Sequence, residues 1–142
     1  LKDIYEIPQK EYEKKLAELV ENLDLDQIKN IPTRQLSLGQ RMKCEIAAAL
    51  LHNPKILFLD EPTIGLDAVA KLSLRKCIKK INEDTKLTII LTTHDTGDIE
   101  ALTKRVILIG KGKLLLDGSF NNLIKKYIKF NNLTKTDKKI II

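Results

Sequence analysis

The stretch KILFLDEPTIGLD, residues 55 to 67, decides the fold class of this chain. Its first part, KILFLD, is a short continuous apolar run, and such runs are typical of buried strands in parallel sheets. Apolar residues recur at helical spacing over residues 68 to 83, and LTIILTT at 87 to 93 is a second apolar run. A strand, a helix and a strand in this order predict an α/β fold built on a parallel sheet.

A helix precedes the first strand, and its start carries an unusual residue. RQLSLGQRMKCEIAAALL, residues 34 to 51, predicts a helix that runs to about His52. Ser37 followed by Gln40 predicts a capping box, in which each side chain bonds a backbone N–H of the first turn. Gly39 in that turn costs about 1 kcal/mol relative to alanine. We therefore expect another group to approach the backbone closely at this glycine.

The rest of the chain extends this pattern on both sides. Residues 9 to 23 predict an amphipathic helix, Asp95 begins a short helix, and a glycine-containing turn between 105–110 and 113–118 predicts a β-hairpin. A last helix is expected at about 120 to 130. The tail that follows is polar and basic until three final isoleucines, and we assign it no structure.

Length and composition limit the function classes. A chain of 142 residues with 43% hydrophobic residues is long enough for one ordinary domain. The net charge of +6 permits contact with nucleic acid, but the lysines are scattered and aromatic residues make up only 4% of the chain. A base-stacking surface would interleave basic and aromatic residues. We therefore interpret the charge as solvated helix faces and a basic tail, and expect no nucleic-acid partner.

Neither the cysteines nor the apolar runs indicate an extracellular or membrane-spanning chain. Cys44 and Cys77 are far apart and fall in predicted helices, so we expect reduced thiols in or near the core rather than a disulfide or a metal site. No apolar run approaches the roughly 20 residues that cross a bilayer. The N-terminus has no signal-peptide pattern, and the sequence is cytosolic in character.

Acidic residues and an imidazole follow the two predicted strands. Asp60 and Glu61 end the first run, and His94 and Asp95 follow the second. Ligands of open α/β sheets bind at the carboxyl ends of the strands, so these side chains are expected to converge on one edge. Two adjacent carboxylates are costly to bury without a cation or hydrogen-bond donors. A binding site at this edge and a solvated surface turn both stay open at this point.

Four motifs occur in a fixed order: LSLGQ at 36 to 40, ILFLDE at 56 to 61, GLD at 65 to 67 and TTHD at 92 to 95. Together they resemble the second half of the nucleotide-binding domain of ATP-binding-cassette (ABC) proteins. The resemblance extends to about residue 129, and the sequence in and around the motifs is similar to that of the ATPase subunits of ABC-2 type exporters. It implies a P-loop NTPase-like α/β fold with a parallel sheet, flanking helices and part of the helical subdomain that carries the signature.

The resemblance implies catalytic roles for the residues at the strand ends. Asp60 is similar to the Walker B aspartate that holds Mg²⁺, usually through water. Glu61 is similar to the residue that positions or deprotonates the attacking water, and His94 to the switch histidine that contacts the γ-phosphate of ATP. The plainer interpretation of His94, a residue that only caps a strand, is outweighed by the four motifs together.

The same resemblance implies a ligand for LSLGQ, the signature motif at residues 36 to 40, which begins the second predicted helix. Ser37, Leu38, Gly39 and Gln40 would face the ATP bound to the opposite subunit of a head-to-tail dimer, and Asp67 would communicate across that dimer. A helix N-terminus offers free N–H groups to an anion, and glycine lets a phosphate come close. Leu38 departs from the commonest signature, which has glycine there. A Gly39→Asp substitution is expected to leave the fold largely intact and to oppose the facing phosphate.

One motif of a complete ATPase is missing from the sequence. A P-loop reads G-x-x-x-x-G-K-[ST], and the glycines at 39, 65, 97, 110, 112 and 118 include no pair with that spacing. We therefore interpret the chain as the C-terminal portion of a longer domain. Its expected parts are a helical signature subdomain at 1–53, the end of the ATPase core at 54–129 and a tail at 130–142.

The missing portion predicts a gap in the sheet. In the family, the P-loop strand lies between the two strands expected here at 87–93 and 105–110. Both strands would then present unpaired edges, which favour aggregation or pairing with another chain. We expect an incomplete sheet, and a chain that is marginally stable as an independent monomer.

These features together favour the ATP-binding and hydrolysing subunit of an ABC exporter, driven by ATP-dependent dimerisation. It would bind ATP and Mg²⁺, pair with a second nucleotide-binding domain of the same or another kind, and attach to the inner face of the cell membrane through permease subunits. The chain alone, without the N-terminal half that carries the P-loop, is expected to be inactive. The alternatives are a soluble ABC ATPase that acts on DNA, ribosomes or cluster assembly, and a truncated product without activity.

Overall fold

The computed structural model of the chain describes residues 2–122, 124–125 and 138–141. Its helices are α1 (Gln9–Asn22), α2 (Leu38–Leu50), α3 (Ala68–Thr85) and α4 (Thr96–Leu102), with a short 3-10 turn at Thr33–Gln35. Its strands are β1 (Ile56–Asp60), β2 (Thr88–Thr93), β3 (Val106–Gly110), β4 (Lys113–Gly118) and β5 (Lys138–Ile141). The elements predicted up to residue 118 all occur, with small differences at their ends. Of the last predicted helix, residues 120–122 and 124–125 are helical, and the rest lies outside the described residues.

The chain divides into two compact units. The first comprises Leu1–Leu57 and Thr63–Thr88, and the second comprises Phe58–Pro62 and Ile89–Ile142. In the first unit α1, α2 and α3 contact one another. The side chains almost fully buried there include Leu23, Ile46 and Leu74. None of the helices in the described ranges has the length and apolar character of a membrane span. The domain boundaries expected at residues 53 and 129 stay a prediction.

Helices α2 and α3 begin at side-chain caps. Ser37 Oγ accepts the backbone N–H of Gln40 at 3.2 Å, and Gln40 Oε1 accepts the N–H of Ser37 at 2.9 Å, which completes the predicted capping box. Asp67 Oδ1 accepts the N–H of Ala70 at 2.8 Å at the start of α3. Helix α3 ends before Lys86, whose φ of +55° is the left-handed conformation common after helices.

Both cysteines are free thiols in the first unit. Cys77 on α3 is buried, and this burial raises its pKa to about 11. Cys44 on α2 is less buried, and its pKa is raised by burial and then by the charge of Glu45. The expectation that both thiols lie in or near the core is confirmed, and burial disfavours the thiolate form of each.

The second unit contains most of the sheet, whose strand order is β1-β2-β5-β3-β4. Strands β3 and β4 form the predicted antiparallel hairpin. At its open end Arg105 donates to both carboxylate oxygens of Asp117, at 2.8 and 2.7 Å, and these bonds lower the pKa of Asp117. The buried cluster of this unit joins α4 to the hairpin, and its members are Ile99, Val106, Leu108 and Leu116, with Phe120 packed against them.

The C-terminal strand fills the place where we expected a gap. Strand β5 lies between β2 and β3 and is antiparallel to both, with Ile140 opposite Thr93 on one side and Leu108 on the other. β2 and β3 are therefore parallel to each other, as the predicted sheet requires. Two expectations are corrected, because the tail contains a strand and the gap is occupied. The physical reason is that unbonded N–H and C=O groups on two strand edges need partners, and an isoleucine-rich segment has high β-propensity.

Strand β1 is buried on one face only. Leu57 and Leu59 are buried, whereas Phe58 between them is 70% exposed and Ile56 is 47% exposed. The apolar run predicted a buried strand, and this prediction is wrong for the exposed face of β1. Alternate side chains of a strand point to opposite faces, so one whole face of β1 is left open to solvent.

Candidate functional site

The carboxyl ends of β1 and β2 bring acidic residues and a threonine together. β1 ends at Asp60, and Glu61 follows with a backbone φ of +48°. This left-handed conformation is uncommon for a residue with a side chain and is costly unless neighbouring contacts hold it. The N–H of Glu61 donates to the carbonyl of Thr92 at 2.9 Å and to its Oγ1 at 3.2 Å. These bonds tie the turn after β1 to the end of β2.

Glu61 and His94 are in direct contact. His94 Nδ1 lies 2.6 Å from Glu61 Oε2, and the two side chains are 63% and 23% exposed. Both groups are therefore reachable from water. A bond from Nδ1 to the carboxylate fixes the orientation of the imidazole and leaves Nε2 for a second group. The predicted convergence of these two side chains is confirmed, and a carboxylate oriented in this way can act as a general base.

Thr92 is not among the predicted site residues, yet its hydroxyl bonds two of them. Its Oγ1 accepts the N–H of Glu61 and donates to Oδ1 of Asp60. The available signal in the sequence was a pair of threonines at the end of a strand that neighbours an acidic strand end. That signal indicates no role by itself, because threonine is common in strands.

Thr93, the second of the pair, anchors the start of α4. Its Oγ1 accepts the N–H of Asp95 at 3.0 Å and donates to Oδ2 of Asp98 at 3.0 Å. Asp98 is fully buried, and Asp95 Oδ1 accepts the N–H of Gly97 at 2.8 Å as the helix cap. His94 lies between Thr93 and Asp95 in the chain, so the backbone is held on both sides of the imidazole.

Asp60 fits the role of a magnesium ligand. Its carboxylate is an exposed oxygen donor at the end of a strand, the type of ligand that Mg²⁺ prefers. Thr92 bonds one of its oxygens, Oδ1. Over the ranges that the structure describes, no group of three or more His, Cys, Asp or Glu residues could enclose a metal ion. A Mg²⁺ ion here would be held by one carboxylate together with phosphate and water oxygens, which is a common arrangement for this ion.

The signature residues lie at the start of α2, beside an open groove. The groove has a volume of about 500 Å³, and Ser37, Gln40 and Lys43 are among its lining residues. The capping box engages the side chains of Ser37 and Gln40. The N–H groups of Leu38 and Gly39 belong to the first turn, where no preceding helical carbonyl is available to them. The helix start can therefore offer backbone donors and the positive end of the helix dipole to an anion.

The packing of α2 against α3 also favours glycine at position 39. A Cβ at residue 39 would lie 3.2 Å from the Cβ of Ala70 on α3, which is shorter than ordinary van der Waals contact. The glycine therefore lets the first turns of α2 and α3 approach each other. Any side chain at this position meets α3, and the expectation that Gly39→Asp leaves the fold largely intact stays a prediction. Gly65 is a similar case, since its φ is +73° and an added Cβ would lie 3.2 Å from Cδ2 of Leu38.

Leu66, the residue before Asp67, lies beside the signature within the first unit. Cδ2 of Leu66, the residue before Asp67, would lie 3.8 Å from a Cβ at Gly39. Asp67 is exposed, and its carboxylate bonds the N–H of Ala70 as the cap of α3. The contacts of the signature and of Asp67 with ATP or with a second subunit stay a prediction.

Comparisons with known proteins identify relatives of this arrangement. The family model for ABC transporters matches residues 1–64. ABC transporter G family member 20 of Dictyostelium discoideum is 36% identical over 125 residues, which cover 88% of this chain and 17% of that protein. The methionine import ATP-binding protein MetN of Haemophilus ducreyi is 37% identical over 116 residues, which cover 82% of this chain and 34% of that protein.

A similar fold occurs in a solved structure. The structure of cbiO1 from Clostridium perfringens, described as part of the ABC transporter complex cbiONQ, matches with a TM-score of 0.77 at 29% identity. The match covers 89% of this chain and 51% of that one. The chain thus spans about half the length, or less, of each of these three relatives.

Proposed function

This chain belongs to the ABC transporter family of ATP-binding domains, and from that premise we propose that Glu61 and His94 activate the water that hydrolyses ATP. The observation that carries the proposal is the 2.6 Å contact between Glu61 Oε2 and His94 Nδ1. The two residues follow adjacent strands, β1 and β2. Open α/β sheets bind their ligands at the carboxyl ends of such strands, and the partial exposure of both side chains allows a water molecule and a phosphate to reach them.

In the proposed reaction, the oxygen of water attacks the γ-phosphorus of ATP. The bond from that phosphorus to the oxygen bridging to the β-phosphate breaks, which releases ADP and inorganic phosphate. The carboxylate of Glu61 accepts the proton of the attacking water and later returns it to solvent, a role worth about 10²–10⁴-fold in rate. Nδ1 of His94 holds the carboxylate in place, and Nε2 is the atom that would contact the γ-phosphate.

The phosphates need ligands beyond those that this sequence carries. Asp60 would hold Mg²⁺ with phosphate and water oxygens, and the bound ion supplies neutralisation of the phosphate charge. The sequence has no G-x-x-x-x-G-K-[ST] motif, whose backbone and lysine hold the β- and γ-phosphates. We therefore propose that the 142-residue chain alone does not hydrolyse ATP, and that an N-terminal half with a P-loop restores activity.

The start of α2 supports a head-to-tail dimer of nucleotide-binding domains. Ser37 and Gln40 are exposed, and the adjoining groove of about 500 Å³ has room for a phosphate. In the proposed dimer, Ser37, Gly39 and Gln40 face the ATP of the opposite subunit, and Asp67 lies at the interface. Free N–H groups at a helix start are suited to an anion of this kind.

Coupling to transport is proposed from the family. The relatives carry transporter names, and cbiO1 is described as part of a transporter complex. The sequence of the motifs is similar to that of exporter ATPase subunits. We therefore propose that the protein is part of an exporter and attaches to the inner face of the cell membrane through permease subunits. Co-purification with membrane-spanning subunits tests the attachment. Reconstituted vesicles test the direction, and inward movement of substrate, as the name MetN states for that relative, would replace export by import.

The test of the catalytic assignment is Glu61→Gln in the active protein. The active protein is the complete subunit containing this segment, or this chain mixed with an N-terminal half that carries the P-loop. The amide keeps the shape but is not a base, so ATP binding should survive while steady-state hydrolysis falls about 100-fold or more. Glu100→Gln, the same change at an exposed residue of α4, is the matched control. Hydrolysis by Glu61→Gln within about threefold of the unmodified protein would contradict the assignment.

Phosphate release by each piece alone tests the need for the P-loop. We expect hydrolysis only when both pieces are present. Hydrolysis by this chain alone, abolished by Glu61→Gln, would show that the chain has a phosphate site of its own. It would overturn the proposal that activity requires an N-terminal half with a P-loop.

A further inference from the structure

The hydroxyl of Thr92 lies between the two acidic residues of the site and bonds both. Its Oγ1 accepts the backbone N–H of Glu61 at 3.2 Å and donates its own proton to Oδ1 of Asp60. The carbonyl of Thr92 accepts the same N–H of Glu61 at 2.9 Å. One residue at the end of β2 therefore holds the backbone of one acid and the carboxylate of the other.

Glu61 needs such support because of its backbone conformation. Its φ of +48° lies in the left-handed region, where Cβ crowds the backbone. A residue other than glycine stays in this region only when its surroundings over-determine it. The two bonds to Thr92 supply that constraint at the N–H of Glu61, and they fix the peptide from which its side chain projects toward His94.

The hydroxyl of Thr93 bonds different partners from that of Thr92. Its hydroxyl bonds Asp95 and Asp98 at the start of α4, at 3.0 Å each, and its side chain is only 3% exposed. Successive residues of a strand point to opposite faces. Thr93 therefore lies on the buried face of β2, whereas the partly exposed Thr92 lies on the face of the site.

We propose that Thr92 is a positioning residue that aligns Glu61 and Asp60 for ATP hydrolysis. A hydroxyl can accept one hydrogen bond while it donates another, and both bonds are used here. Thr92 acts through the two acids rather than on the substrate. This inference rests on the proposed function of Glu61 and Asp60, and it requires the hydroxyl of Thr92 but not its methyl group.

The test compares Thr92→Val with Thr92→Ser in the active protein defined above. Valine keeps the shape and removes the hydroxyl, so kcat should fall about 10- to 100-fold with the KM for ATP within about twofold, since misplacing a catalytic group by about 1 Å costs about 100-fold. Serine keeps the hydroxyl and should stay within about threefold of the unmodified kcat. Thr88→Val, the same change at the exposed start of β2, should leave kcat unchanged.

A double variant separates positioning from folding. In the Glu61→Gln background, Thr92→Val should cause a smaller further loss of kcat, because one of the two acids that Thr92 aligns is already inactive. Equal losses in both backgrounds would show that Thr92 does not act through Glu61 and would overturn the proposal. A Thr92→Val protein with normal kcat, or a Thr92→Ser protein as slow as Thr92→Val, would overturn it as well.

Hydrogen exchange in the 142-residue chain tests the contact without ATP. The amide of Glu61 should exchange about threefold faster or more in Thr92→Val, because one of its two acceptors is lost, and Thr92→Ser should restore the protection. Unchanged exchange in Thr92→Val would overturn the proposal. If exchange responds as expected while the unmodified active protein hydrolyses no ATP, the proposed function fails and the contact is supported, so the two failures are distinguishable.

Discussion

Replacement of Gly39 by alanine tests whether this glycine is needed for the packing of α2 against α3. The added Cβ would lie 3.2 Å from the Cβ of Ala70 and 3.8 Å from Cδ2 of Leu66. The second distance is ordinary contact, but the first requires α2 or α3 to move by a few tenths of an ångström. Ala70 carries its Cβ on the backbone of α3, so a side-chain rotation cannot relieve the contact.

Two opposing terms set the expected change in the free energy of unfolding. Alanine is favoured over glycine in a helix by about 1 kcal/mol. Overpacking of a close contact costs about 1–3 kcal/mol. After subtraction of the gain in helix propensity, Gly39→Ala should lower the free energy of unfolding by about 1 kcal/mol. The Ala70→Gly variant lacks the opposing methyl group, so in that background Gly39→Ala should stabilise by about 1 kcal/mol. The sign of the effect therefore reverses, which corresponds to a coupling energy of about 2 kcal/mol.

Urea denaturation followed by circular dichroism measures all four proteins of this double-mutant cycle. Glu45 is exposed on α2, so Glu45→Ala compared with Glu45→Gly gives the alanine–glycine difference without a packing contact. A stabilising Gly39→Ala in the unmodified background would refute the packing argument. The same conclusion would follow if Gly39→Ala destabilised equally in the Ala70→Gly background, because the strain would then not come from Ala70.

Ser37→Ala should lower the free energy of unfolding by about 1 kcal/mol, because it removes one bond of the capping box, and urea melts of equal midpoint would contradict this. For Cys77, burial raises the pKa from 9.0 to about 11, so between these pH values only the unfolded chain loses the thiol proton and stability falls as pH rises. Cys77→Ala should show a shallower fall over that range, and an equal slope would exclude this thiol as a source. A chain that ends at residue 137 lacks β5 and exposes the edges of β2 and β3, so it should melt at lower temperature and self-associate in size-exclusion chromatography. A monomeric truncated chain with unchanged melting temperature would show that β5 contributes nothing to the sheet.

The elements up to residue 118 could be predicted from the sequence because their signals are local. The capping box joins Ser37 and Gln40, which are three positions apart, and it forms as predicted. The apolar runs of β1 and β2 also carry their own pattern. Even the contact of Glu61 with His94 could be anticipated, because neighbouring strands of a parallel sheet bring their carboxyl ends to one edge.

Only the tertiary structure decided the contacts between segments that are distant in the chain. The close approach to Ala70 accounts for Gly39, for which the sequence indicated only a phosphate contact. The hydrogen bonds of Thr92 hold the left-handed backbone of Glu61, and no local pattern indicates them. The placement of β5 between β2 and β3 depends on which strand edges are free after folding. The physical reason is common to the three cases: backbone separations and hydrogen-bond partners between distant segments are set when elements pack, and the local sequence pattern does not contain them.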